Sequence, residues 1–334
     1  MTLNTASSLS LLDVCPTRHK IVYQDMITPL RKVNANLAIG TLVHFGLECY
    51  WKKMPLDKAI DEMRDFVITN REYAEFWSDE DNYFHLVKCI IYVEGYYKRW
   101  SKTDWVDNHY EDIRPELKFQ TSFGGHVYQG KKDVQMLDGA HKVHIKEHKT
   151  ASSSAQDLTS VYWTQLSLSI QNTLYIQSAK AKYPDKEVTF EYDVIIKTKS
   201  KPLKGRATRR KMESDESLQQ RKDAKNETLE DYCERLRGIY LADEPEEPLY
   251  IRKQVFFTED QHEENKQQIN LKSALTADSG YLKVKNFQGC NSYNSPCPFL
   301  GVCIGYESLD DSSLFERREH IFPELEGDNN GTKS

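Results

Sequence analysis

Asp133, Glu147 and Lys149 carry the sharpest chemistry of the 334-residue chain. Asp133 lies in GKKDVQML, and Glu147 and Lys149 lie in HIKEHKTASS. Both segments read as strands. Side chains alternate across a strand, so Glu147 and Lys149 share one face and His148 takes the other. A turn at Asp138-Gly139 brings Asp133 across from that pair. Two carboxylates suit Mg²⁺ or Mn²⁺, hard cations that prefer oxygen. Such an ion polarises a phosphodiester and lowers the pKa of a bound water. An ammonium beside it can orient that water or neutralise charge developing on the phosphate. The competing reading is a solvated hairpin face with a cross-strand ion pair, because the motif is short and common. Upstream, His44 in GTLVHFGLE is either a core histidine or a further metal ligand. Downstream, Gln165 in YWTQLSLSIQ is either a plain helix-surface residue or a contact to a phosphate or to the lysine.

The cysteines pose a second question. Cys15, Cys49, Cys89, Cys233, Cys290, Cys297 and Cys303 make an odd number, which argues against a disulfide framework. Three of them fall within the fourteen residues 290–303, which reads as metal ligation needing a fourth ligand. Four thiolates suit an iron–sulfur cluster or Zn²⁺. The wide Cys290-x6-Cys297 and Cys297-x5-Cys303 spacings lack zinc-ribbon knuckles and favour iron–sulfur. Cys49, Cys89 and Cys233 lie in helix-like segments and read as small buried side chains.

The elements that must position these residues follow from periodicity. Helices are expected over 36–53, 57–76 and 80–101, then strands over 116–121, 126–137 and from Lys142. A long helix is expected over 158–180, a strand over 188–197, a helix over 226–240, a strand over 249–257 and a helix over 259–275. This order makes the chain α/β or α+β, with a helical insert before the sheet. The segment 285–305, with its cysteines, Gly, Asn and Pro, is expected to be irregular.

Composition bounds the rest. Hydrophobic residues are 39% and charged residues 29%, enough for a sizeable core. No run of about 18 apolar residues marks a membrane span, and the N-terminal segment lacks a basic signal-peptide region, so a cytoplasmic protein is expected. The net charge of −6 argues against coating by nucleic acid over the whole surface, but it hides local structure. Residues 307–334 hold eight acids and three bases, and residues 197–211 hold eight bases and no acid. Lys197, Lys199, Lys201, Lys204, Arg209 and Arg210 are therefore candidates to track a DNA backbone, against the alternative of a solvated loop. No Gly-x4-Gly-Lys-Ser/Thr motif is present, so no ATP motor is visible.

Taken in order, GTLVHFGLE, GKKD, EHK and a glutamine helix near Gln165 resemble the PD-(D/E)XK nuclease superfamily, in particular its RecB-like branch. The resemblance implies a restriction-endonuclease-like mixed central sheet flanked by helices. It implies His44, Asp133 and Glu147 as metal ligands and Lys149 as the catalytic lysine. The family often shows Gln-x-x-x-Tyr, which Gln171 and Tyr175 match; Gln165 is preferred here for its distance from Lys149. Where the family often has an apolar residue before the aspartate, this chain has Lys132. SLLDVCPTRHKIVY resembles the N-terminal motif of the branch's iron–sulfur nucleases, which include CRISPR-associated RecB-like exonucleases and the AddB nuclease domain. That implies a [4Fe–4S] cluster held by Cys15, Cys290, Cys297 and Cys303. The expected organisation is a single nuclease domain over 1–306, with an insert at about 54–110 and a flexible acidic tail over 307–334. The expected function is a metal-dependent DNA exonuclease of phage or CRISPR-type DNA processing or recombination, with protein partners of that kind. The competing class is a catalytically silent DNA-binding or scaffold protein of the same fold.

Overall fold

The computed structural model describes residues 4–30, 34–78, 80–108, 110–139, 142–203, 214, 216, 227–292, 295–320, 322 and 325. Its centre is a mixed sheet of β2 (Tyr110–Phe123), β3 (His126–Asp138), β4 (Val143–Ala151), β5 (Val188–Ile196) and β6 (Tyr250–Val255), in that spatial order. Only β4 and β5 run parallel. A parallel pair needs a crossover, and the chain supplies it with helices α7 (Val161–Ser167) and α8 (Ile170–Lys182). The first strand is longer than expected and reaches Phe123. Gly124 and Gly125 turn it into β3 with φ of 57° and 80°, a region that favours glycine.

The expected helix 158–180 is two helices. Asn172 explains the break: its amide donates to the carbonyls of Leu166 (2.7 Å) and Ser167 (3.3 Å), where α7 ends. The Ser169 hydroxyl then accepts from Gln171 N and caps α8. That break rotates the face α8 presents to the sheet.

Two cores sandwich the sheet. On one side, α3 (Ala35–Trp51) and α6 (Glu80–Lys102), with α4 (Leu56–Thr69) between them in the chain, bury Leu42, Val43, Met63, Ile91 and Tyr92 against Val134, Met136 and Ile195. Gly46 lets α3 approach α6 closely, since a Cβ there would stand 2.6 Å from Val93 Cγ2. On the other side, Leu174, Tyr175 and Ala179 of α8 pack on Val143, Ile145, Tyr192 and Val194. The expected insert thus supplies one layer of the sandwich.

The tail expected to be free from residue 307 is partly bound. Phe315–Arg317 pairs antiparallel with β1 (Ile27–Pro29), and Phe315 is buried with Ile21, Ile27 and Phe299. Burial of Phe315 offsets the entropy of ordering this stretch. Of the basic arm, Lys204, Arg209 and Arg210 lie outside the described residues, whereas Lys197, Lys199 and Lys201 are described. No described helix is long and apolar enough to cross a membrane.

Candidate active site

The β3–β4 register sets the site. Val134 pairs with Lys146, so the next positions along, Asp133 and Glu147, face one another across the ladder. The backbone N–H of His148 donates to Asp133 Oδ2 at 2.7 Å and holds that carboxylate in place. The remaining oxygen, Oδ1, stands 3.6 Å from Nδ1 of His44, which projects from α3. Glu147 is 2% exposed. Lys149 Nζ donates to its Oε1 at 2.5 Å, and Oε2 is buried with no hydrogen-bond partner. The four side chains predicted from sequence are thereby brought together.

Gln165 is not among them. It lies exposed on α7, ahead of the helix break. Gln171 in the first turn of α8 takes the place by the lysine: its Nε2 donates to Glu147 Oε1 at 2.8 Å, and its Oε1 accepts from Lys149 Nζ at 3.3 Å. Gln171 also donates to Tyr175 OH at 2.7 Å, and that hydroxyl donates to the Lys131 carbonyl. The signal that could have selected Gln171 was its spacing to Tyr175. One helical turn apart, the two side chains share a face of α8.

The electrostatics are those of crowded, half-dry acids. Burial, and then the Asp133 charge, push the Glu147 pKa up to about 7 against the pull of Lys149. Burial also acts to raise Asp133, but His44, His148 and Lys149 outweigh it and hold its carboxyl well below the usual range. Burial works against the charged form of Lys149, yet Glu147 and Asp133 keep the ammonium pKa raised. Glu116 adds a further carboxylate nearby. It has φ of 52° in β2, is ion-paired with Lys131, and has its pKa raised, by burial first and in part by the Asp133 charge.

His148 has a role the sequence did not signal. It points away from Lys149, and its Nε2 accepts from Trp51 Nε1 at 3.0 Å. Trp51 lies two turns after His44 on α3, so one helix face touches the hairpin at both Asp133 and His148. Behind His148, Asp193 accepts from Tyr96 OH (2.5 Å) and Arg252 Nε (2.9 Å). Arg252 also grips Asp104 with both terminal nitrogens, at 2.7 and 2.6 Å.

The donor set suits a divalent cation. Glu147 Oε2 is an unused buried acceptor, Asp133 stands across the ladder from Glu147, and His44 offers a nitrogen beside Asp133 Oδ1. As the side chains stand, no group of three or more His, Cys, Asp or Glu among the described residues is closed to metal-binding spacing.

At the other end of the chain, Cys15, Cys290, Cys297 and Cys303 line one small cavity, together with Arg18, Phe287 and Phe299. All are free thiols. Cys15 sits at the junction of α1 (Ala6–Val14) and α2 (Pro16–Tyr23), and Gly289 packs on that junction, where a Cβ would meet Val14 O at 2.5 Å. Burial first, then the neighbouring thiolates, raise the pKa of Cys290 and Cys303, as expected of sulfurs held close together. Cys49 and Cys89 are buried elsewhere in the helical core, which Cys233 packs against. Four sulfurs around one cavity fit a tetrathiolate ligand set in kind and number.

The sequence pattern of the PD-(D/E)XK nuclease superfamily matches residues 4–304, and the chain belongs to that superfamily. One similar solved structure is a protein from Eubacterium rectale named "Putative exonuclease", with 10% identity, 98% of this chain and 94% of that chain covered, and a TM-score of 0.48. No curated protein matches the chain.

Proposed function

We propose that the chain is a divalent-metal-dependent DNA nuclease of the RecB-like branch that acts as an exonuclease at DNA ends. One observation carries this reading: Asp133, Glu147, Lys149, His44 and Gln171 come together from four separate elements, with Lys149 and Gln171 on Glu147 Oε1 and His44 beside Asp133 Oδ1, and leave Glu147 Oε2 buried and without a partner. The Lys149 and His44 side chains beside it stay about one-third exposed, at 30% and 31%, so a ligand can reach the cluster from solvent. Asp133, Glu147 and His44 would hold Mg²⁺ or Mn²⁺, which supplies Lewis-acid activation of phosphodiester and water when bound. Lys149 sets its ammonium where charge develops on the scissile phosphate. Gln171 keeps Lys149 and Glu147 in register, and Tyr175 fixes Gln171 through the Lys131 carbonyl.

Digestion of end-labelled single- and double-stranded DNA with Mn²⁺, against EDTA, tests the reading. Cleavage in Mn²⁺ that EDTA abolishes and Lys149→Met lacks is the expected result. DNA binding without cleavage in any divalent metal would instead favour the silent scaffold.

We further infer that Cys15, Cys290, Cys297 and Cys303 hold a [4Fe–4S] cluster, with Zn²⁺ as the alternative. Joining Cys15 to Cys290 closes a loop of roughly 275 residues, which by chain-entropy scaling stabilises by on the order of 5 kcal/mol through the unfolded state. The role is a staple across the nuclease core. Brown protein with iron and sulfide after anaerobic purification is expected, and colourless protein with zinc would replace the cluster with the alternative ion.

A further inference from the structure

A second cluster of positive charge lies at the same end of the sheet, without a counter-ion among the described residues. Lys197 follows β5 directly, and its backbone N–H donates to the carbonyl of Ala151, at 2.7 Å, where β4 ends. Lys149 pairs in register with Val194. Lys197 is thus three residues further along, about 10 Å at about 3.3 Å per residue. Its ammonium donates to Asn36 Oδ1 at 3.2 Å, in the first turn of α3.

Lys88 of α6 is 3% exposed. Its ammonium has one hydrogen bond, 3.3 Å long, to the Thr198 carbonyl, and lies 4.9 Å from the centre of the Phe84 ring. Lys201 approaches the same ring, at 5.8 Å. His85 Nδ1 is buried beside them with no hydrogen-bond partner. The charges that bear on His85 are Lys88, Lys201 and Lys197. Among the described residues no carboxylate pairs with Lys88, Lys197 or Lys201. Burial, and after it the two neighbouring lysines, pull the Lys88 pKa down to about 8.

A buried ammonium with one long hydrogen bond is costly, and further cations beside it add repulsion. A phosphate group reverses both terms: it brings negative charge and acceptor oxygens to several donors at once. We propose that Lys88, Lys197 and Lys201 form a phosphate subsite for a backbone phosphate of the nucleic-acid strand whose scissile bond lies at Lys149. A separation of about 10 Å puts the subsite at a neighbouring backbone phosphate, within about three nucleotides of the reacting centre. The subsite rests on the nuclease reading, and it adds Lys88, a residue outside the basic arm.

The test is binding of a labelled single-stranded oligonucleotide, by fluorescence anisotropy, in EDTA so that nothing is cut, across a salt series. The proteins are wild type, Lys88→Met, Lys201→Ala and the double variant. The double variant should bind about tenfold more weakly, and its log K against log salt should flatten by about 0.7 for each phosphate no longer neutralised. Lys88→Met should melt at an equal or higher temperature, because it removes an unpaired buried charge. Unchanged affinity and slope in the double variant, while the wild type binds normally, overturn the subsite and leave the nuclease reading standing. A lower melting temperature for Lys88→Met with an unchanged slope makes the lysine a structural residue and also overturns it. Wild type that neither binds nor cuts DNA overturns the nuclease reading itself.

Oligonucleotides with 5′-phosphate and 5′-hydroxyl ends, run side by side, should lose affinity equally, as an internal phosphodiester requires. Loss confined to the 5′-phosphorylated strand would overturn the internal position. Displacement of the strand by millimolar inorganic phosphate in wild type alone would identify free phosphate as the ligand and overturn the nucleic-acid assignment. If Lys88→Met does not fold, Lys201→Ala, whose side chain is exposed, carries the same salt-slope test.

Discussion

Behind β4, Arg252 lies between Asp104 and Asp193; in front of it, Lys149 lies beside Glu147 and Asp133. Each cluster combines two carboxylates with a strong cation, and His148 connects them, with its ring toward one and its backbone N–H toward the other. The rear cluster is closed. Asp104 is 1% exposed, and it accepts from Tyr50 OH as well as from both terminal nitrogens of Arg252, whose guanidinium stacks on Trp100 at 3.9 Å. Apart from Asp193 Oδ1, its carboxylate oxygens have partners. The front cluster is open: the Lys149 and His44 side chains stay about one-third exposed, at 30% and 31%, and Glu147 Oε2 has no partner. The same residue types therefore serve two ends. Pairing sealed from solvent makes a brace, and incomplete pairing beside solvent makes a place for a ligand.

The comparison can be broken most decisively from the front. Glu147→Gln and Lys149→Met should each lower the cleavage rate by about 10²- to 10³-fold; Glu147→Gln should melt at or above wild type, since it relieves crowding with Asp133, and Lys149→Met should melt lower, since it leaves Glu147 without its cation. Rates within a few-fold of wild type in Mn²⁺ would make the front cluster a second brace. The mirror experiment is Arg252→Met, which leaves two buried carboxylates unpaired. Urea unfolding should show a loss of about 3–5 kcal/mol, and a variant as stable as wild type would show that the rear cluster braces nothing.

The lysine subsite extends the same logic through pH. The Lys88 pKa is about 8 in the folded protein and about 10.4 in the unfolded chain. Between those values the unfolded state binds more protons, so this residue makes stability rise with pH across that window. Lys88→Met lacks the rise. Its melting temperature should exceed wild type most at pH 7 and the gap should narrow by pH 9.5; a gap constant with pH would mean Lys88 is not strained by burial. The smallest effect separates two glutamines. Gln171→Ala should slow cleavage about tenfold, the scale of one charge-assisted hydrogen bond removed, and Gln165→Ala should be indistinguishable from wild type. The reverse outcome would put the positioning glutamine on α7.

What could be read from the sequence depended on distance along the chain. Asp133, Glu147 and Lys149 were legible because a hairpin has a two-residue period, so spacing alone places side chains on faces. His44 was legible as a candidate but not as a neighbour of Asp133. That contact depends on how closely α3 packs, which Gly46 against Val93 permits. Distance from Lys149 along the chain favours Gln165 over Gln171, and that distance does not register the helix break between them. The Asn172 side chain ends α7 by competing for its carbonyls, and the second helix then presents Gln171. Tail residues 315–317 were read from charge as free, and one buried aromatic, Phe315, overrode that charge.

By itself, then, the sequence determined most of the elements, the hairpin triad and the three clustered cysteines, because each is written in local period or in residue type; Cys15 was added by the resemblance. Only the tertiary structure decided which glutamine faces the lysine, which carboxylates pair with Arg252, and which lysines gather together. Those contacts join residues from 22 apart, as Lys149 and Gln171 are, to 148 apart, as Arg252 and Asp104 are. Partners that far apart are selected by packing rather than by any period a local window can hold.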